Sequence, residues 1–355
     1  MTDPTATASS RDMSAAYGAL ATLYNALMTG IVLSLVTRRG ADVAREFVFR
    51  HFRRQHHEKF LPGLRKLGLD GHPAAVACAL YHYHSNALGG VKTEYFRESD
   101  RKAWVRYPPP RWIWRGTAAC AVPHEVNAAM LHGWHGHNGV SLGNPRLGFV
   151  CTGMITSGAP GLEGYYCEYG RELAPEERVR FVDDERMPRV EPGEQPKLDT
   201  VAWPAERLRR TWRSYAMEYV RTLVPTLIDL LGADEAEAEF GRMARLIGMQ
   251  FHDETSMAIG IEPGTGGAPA FARYLATLLT AQGEDVTCDI DGTDAVVRQR
   301  GWRLMKDVQF AGDGDLFAGL RAWNEMWIGA ALAHDRFMTF TTSGGPGGTV
   351  TWMMR

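Results

Sequence analysis

The residues able to do chemistry crowd into one stretch, Met130 to Tyr169, where His132, His135, His137, Cys151, Cys167 and Glu168 surround a glycine-rich segment. His132 and His135 stand at i and i+3 and share a face if the helix reaches that far, with His137 in the loop beyond Gly136. Imidazoles placed this way can move protons near neutral pH or bind a metal as neutral ligands. His84, His132, His135 and Glu168 would make a nitrogen and oxygen ligand set, but HExxH is absent. Acid-base or substrate-binding histidines are therefore the favoured reading, with no cofactor expected. Cys151 is a candidate nucleophile if a histidine of the cluster acts as its base; otherwise Cys151 and Cys167 read as small buried hydrophobes. The expected catalytic set is His84, His132, His135, Glu168 and Cys151, with Tyr81, His137, Tyr166 and His252 binding substrate.

Other candidates read more plainly. The run HFRRQHHEKF, with His51, His56 and His57, looks like a solvated helix face. His252-Asp253-Glu254 reads as a solvated helix turn, with His252 the member able to face a pocket. GTGG at Gly264 to Gly267 lacks a following Lys-Ser/Thr, and no GxGxxG joins a strand to a helix, so a nucleotide cofactor is not implied. Trp104, Trp112, Trp114, Trp134, Tyr165 and Tyr166 read as core and pocket walls.

Periodicity supplies the elements that must hold these residues. An uncharged segment, Met13 to Thr37, is long enough to span a bilayer, but its Ser, Thr, Asn and Gly residues favour a buried or interfacial helix. Helices follow over Ala41 to Leu67 and from Pro73 to Leu88, then a hairpin from Val91 to Trp114 interrupted by Pro108, Pro109 and Pro110. A helix from Pro123 runs into the histidine loop, and a hairpin with the turn TSGAPG ends at Tyr169. A charged, proline-containing link from Arg171 to Asp199 reads as a surface connection or domain boundary. Two long helices, a helix over Ala270 to Gln282, a hairpin, a helix over Arg321 to Leu332 and a closing hairpin complete the chain.

The order of elements in the two halves matches, and the closing turns match in letters: Thr156 to Gly161 reads TSGAPG and Thr342 to Gly347 reads TSGGPG. This predicts an α+β protein of two tandem, diverged units, 1–190 and 191–355, with the pocket in the first. Aligning Gly89 with Gly283 sets Tyr81, His84 and Ser85 opposite Leu275, Leu278 and Leu279. Aligning the closing turns sets Tyr166 and Glu168 opposite Trp352 and Met354. Buried polar groups are costly unless paired, so polar replacements confined to one copy predict a polar pocket there.

Composition bounds the function. A net charge of -2 gives no basic footprint for nucleic acid. Five cysteines without a CxxC pair fit a reducing compartment, and the polar start MTDPTATASSRD lacks the cationic head of a signal peptide, so a cytoplasmic location is expected. The partner expected is a small-molecule substrate, with neither nucleic acid nor membrane favoured and a homo-oligomer left open.

The element order, with CEYGREL at Cys167 to Leu173 and the hairpin before it as the closest stretch, resembles a small-molecule-binding α+β family. That family joins vinyl-reductase-like sensor domains and L-2-amino-thiazoline-4-carboxylate hydrolase-like proteins. The resemblance implies a ligand pocket inside an α+β unit and, on the hydrolase side, cleavage of a carbon to nitrogen bond in a small ring. The departure is that the unit is doubled here. A hydrolase using His/Glu acid-base chemistry is the expected activity; a non-catalytic sensor, a decarboxylase or isomerase, and a histidine-ligated metal enzyme are the alternatives.

Overall fold

The computed structural model of the protein describes residues 10–109, 121–198 and 201–355. Trp112, Trp114 and Cys120 lie outside the described residues. The fold is α+β, with 57% of the chain helical and 16% in strands that form two separate sheets. Contacts divide the chain into two compact units, Val32–Leu208 and a second built from Met1–Ile31 with Arg209–Arg355. The expected cut between 190 and 191 therefore moves to 208/209, and the first segment joins the C-terminal half.

In the Val32–Leu208 unit, the chain after α1 (Ser10–Arg39) enters α2 (Ala41–Lys66), α3 (Ala74–Leu88), β1 (Glu94–Arg97) and β2 (Lys102–Tyr107). Then come α4 (His124–Gly133), a 3-10 turn over His135–His137, the single turn α5 (Asn138–Ser141), β3 (Leu147–Gly153) and β4 (Leu162–Glu168). The link expected to be a surface connection instead supplies β5 (Val179–Phe181), which pairs in parallel with β3. The sheet order is β1-β2-β4-β3-β5. Side chains alternate across it. Trp104, Val150 and Tyr165 on one face pack with Met187, and Val182 and Val190 from the same link close over them. Burying those apolar groups is what draws a charged segment back onto the sheet. The opposite face carries Phe149 and Tyr166, whose rings lie 5.0 Å apart.

The other unit contains α6 (Ala205–Leu231) from Arg209 onward, α7 (Ala233–Ala258), α8 (Gly267–Gln282), β6 (Asp285–Asp291), β7 (Asp294–Arg300), α9 (Asp313–His334), β8 (Phe340–Ser343) and β9 (Thr349–Met354). Its sheet order, β6-β7-β9-β8, is that of the first four strands of the other sheet. Tyr24 of α1 belongs to this unit: its hydroxyl donates to Gln282 and accepts from the Trp323 indole. α1 is, among the described residues, the one helix long and apolar enough to cross a membrane, and 61% of its apolar window is buried.

The ends of α3 and α8 have the same local geometry. α3 closes on Gly90, whose φ is 79°, with Val91 N donating to Asn86 O at 2.9 Å. α8 closes on Gly283, φ 99°, with Glu284 N donating to Leu279 O at 3.1 Å. Both are left-handed closures that glycine makes without a Cβ clash. Gly90, not Gly89, shares the closure of Gly283, so an alignment made on it shifts by one residue. In that alignment Tyr81 matches Tyr274, and His82, rather than Tyr81, matches Leu275.

Candidate functional site

Ten of the chain's 12 histidines lie from His51 to His137, and α2, α3 and the turn after α4 bring several of them together. α3 presents Cys78, His82 and Ser85 at i, i+4 and i+7, one stripe of the helix. His82 is 4% exposed and stacks on His135 with ring centroids 4.1 Å apart and planes 14° from parallel. Tyr166 stacks on both, at 5.8 Å from His82 and 5.9 Å from His135. Asn138 joins them: its Nδ2 donates to Tyr166 Oη at 2.9 Å and lies 3.4 Å from His82 Nε2, while the Cys78 thiol also reaches its side chain. Since the Tyr166 oxygen accepts from Asn138, the phenol proton is left to be donated elsewhere.

The glycines of the histidine segment serve close packing rather than a flexible rim. At Gly133 a Cβ would meet Phe49 O at 2.7 Å, so α4 crosses α2 with its backbone against it. A Cβ on Gly136 would meet the Val179 side chain at 2.7 Å. Those approaches turn the chain inward at His135, which is 6% exposed.

The reading of HFRRQHHEKF as solvated is overturned for two of its histidines: His51 is 0% and His56 1% exposed, and only His57 faces solvent. α2 is buried along that stripe because Phe47, Phe52 and Phe60 draw it inward. His56 stacks on Phe60 at 4.9 Å and meets His137 edge-on at 5.1 Å. Trp134 lies 5.7 Å from His56 and 6.0 Å from His82, so rings run from the interior to the surface at His57.

Burial holds His82, His56 and His137 in the neutral form. Burial pushes His82 down to about 3. Burial, then the neighbouring His137, His57 and Arg53, pushes His56 down to about 3. His137 falls to about 4 through burial, Arg53, His57 and Arg178. Burial raises the Tyr166 phenol well above its ordinary value, so it stays protonated.

Of the expected residues, His135 and Tyr166 meet directly. Tyr81 reaches them through His82, at 5.4 Å, and Trp134, at 6.2 Å. His137 joins through His56. His84 does not: two residues from His82, it points to another side of α3 and packs on Tyr83 at 4.9 Å. His132 is exposed and lies 5.9 Å from Phe181. Glu168 ends β4 with its carboxylate taking a hydrogen bond from Asn144 at 3.1 Å and pairing with Arg146 at 3.7 Å. Cys151 is buried on β3, its thiol 3.5 Å from Gly153 O. His252 belongs to the other unit and is fully buried, not solvated, with His334 and Tyr274 each 5.1 Å away.

Sequence reasoning missed His82, Asn138 and the inward turn of His56. The signal for His82 was present, because it shares the spacing of Cys78 and Ser85 and follows the tyrosine common to both units. In the second unit a groove of about 760 Å³ opens between α7, α9 and β8. Its charges are spent on each other, as Arg245 with Glu325 and Arg321 with Glu237, so the chemistry concentrates elsewhere. Comparison with known proteins returns no match to a family model, to a curated protein or to a solved structure.

Proposed function

We propose that the Val32–Leu208 unit is the chemically active half of a cytoplasmic enzyme that acts on a small cyclic or aromatic metabolite by acid-base chemistry, hydrolysing a carbon to nitrogen bond. The observation that carries this reading is the buried His82-His135 stack beside Tyr166, with Asn138 joining the Tyr166 phenol to the His82 imidazole. Neutral, desolvated imidazoles accept a proton readily only when negative charge develops next to them, the condition met as water attacks a ring carbon. His82 or His135 takes the water proton, and Tyr166, whose own oxygen accepts from Asn138, donates to the departing nitrogen or the developing oxyanion. The flat walls of Trp134, Tyr81 and Phe149 suit a planar ring. The family resemblance of the closing hairpin points to the same reaction class. Glu168 is assigned a structural part, holding the loop at Asn144 and Arg146.

The test is a panel of cyclic amides and amidines assayed for release of amine or ring opening. At least one is expected to turn over, with His135→Gln and Tyr166→Phe each slowing turnover by about 100-fold and Glu168→Gln leaving most of it. Full activity in both His82→Gln and His135→Gln would sink the assignment. Tight binding of a panel member without turnover would instead support the sensor reading.

A further inference from the structure

From the convergence of three imidazoles at the outer end of the ring series, we propose that His56, His57 and His137 bind a divalent transition-metal ion of the zinc, cobalt or copper type. Each offers one ring nitrogen, and those three nitrogens lie within 4.8 Å of one another. His56 and His57 come from α2 and His137 from the turn after α4; the Gly133 backbone contact between α2 and α4 holds the two sides together.

A second observation points to a ligand at this place. His56 is 1% exposed, yet neither of its ring nitrogens has a hydrogen-bond partner among the described residues. A buried polar group left without a partner costs free energy that an ion at the nitrogen would recover. Three nitrogen ligands and no carboxylate select a borderline-soft ion over calcium or magnesium. Three protein ligands also leave one coordination position open, on the side where His57 meets solvent.

The surrounding charge is positive and shapes what the ion would hold. Arg53 Nη1 donates to His137 Nδ1 at 2.8 Å, and Arg178 adds a second guanidinium charge near the same ring. If Nδ1 is the nitrogen that serves the ion, Nη1 must move aside. The guanidinium stays anchored through Nε on Gly133 O at 2.8 Å and Nη2 on His132 O at 3.0 Å. Two cationic side chains beside a cation favour an anionic fourth ligand, hydroxide or a carboxylate, that lies between them. The inference stands whether or not the hydrolase reading does.

Chelator-treated full-length protein titrated with Co2+ is expected to bind one equivalent and to develop the visible absorption of a low-coordinate nitrogen site. His57→Ala, a change at an exposed side chain, is expected to weaken that binding by at least about 10-fold with the circular dichroism spectrum unchanged. His72→Ala, exposed elsewhere on the same unit, should bind like the native protein. Absence of a stoichiometric site, or equal affinity in His57→Ala, would overturn the proposal. So would acetate or phosphate shifting the His57 and His137 NMR resonances in metal-free protein that takes up no Co2+, since the cluster would then be an anion site.

Discussion

A histidine ring buried in its neutral form ties stability to pH, and His51 is the plainest case. It is 0% exposed, between Phe47 at 5.7 Å and Phe52 at 5.2 Å. Burial, then the nearby Arg54, pushes it down from 6.5 to about 3. Between those two values the unfolded chain binds a proton that the folded chain refuses, so stability falls as pH drops through that window and is unaffected by this group above it. The loss approaches about 1.4 kcal/mol per pH unit for one such ring. Urea unfolding at pH 7.5, 6 and 5 should show the decline, and His51→Phe should make it shallower; an unchanged slope would count against a buried neutral His51. Residue types alone did not reveal this. HFRRQHHEKF is rich in charge, and only the phenylalanines at 47, 52 and 60 say which side of α2 turns inward.

At the scale of elements, α4 and the turn after it determine whether the histidines meet. The close contact of Gly133 with the α2 backbone leaves no room for a side chain. Gly133→Ala should push α4 away from α2, destabilise the protein by about 1–3 kcal/mol and lower the denaturation midpoint, whereas Gly143→Ala on the open loop should act only through its φ of 65°. If Gly133→Ala unfolds at the native midpoint, the two helices are not held this closely. Helices and hairpins were legible in the sequence because period and turn residues mark them locally: α2, α3, α4 and both closing hairpins fall within a few residues of their expected places. The facing of α3 was not, because it hinged on which of two adjacent glycines takes the left-handed closure. Reading Gly89 for Gly90 shifted the helix by one residue, putting Tyr81 where His82 belongs and His84 where Ser85 belongs. β5 was hidden for another reason: three residues in a charged link show no alternation, and only the parallel partner β3 makes them a strand.

For the molecule as a whole, the α+β class and the shared strand order follow from the succession of elements, while the division of the chain does not. Met1–Ile31 joins the C-terminal unit, where Tyr24 is fully buried and bonded to Gln282 and Trp323. Such long-range pairings leave no trace in a local pattern. The one strand that the first sheet has and the second lacks, β5, has a further meaning for self-association. It covers the outer side of β3, whereas β8, the equivalent position in the second sheet, is an edge with Thr341, Thr342 and Ser343 exposed. An uncovered edge offers its amides and carbonyls to any extended chain, including another copy of this protein. Concentration-dependent light scattering should therefore drop in Thr341→Lys, where a charge guards the edge. If scattering is the same in both proteins, strand addition at β8 does not take place. The small parallel strand thus shields β3 and leaves the first sheet a border only three residues long, whereas the second sheet ends on β8 itself.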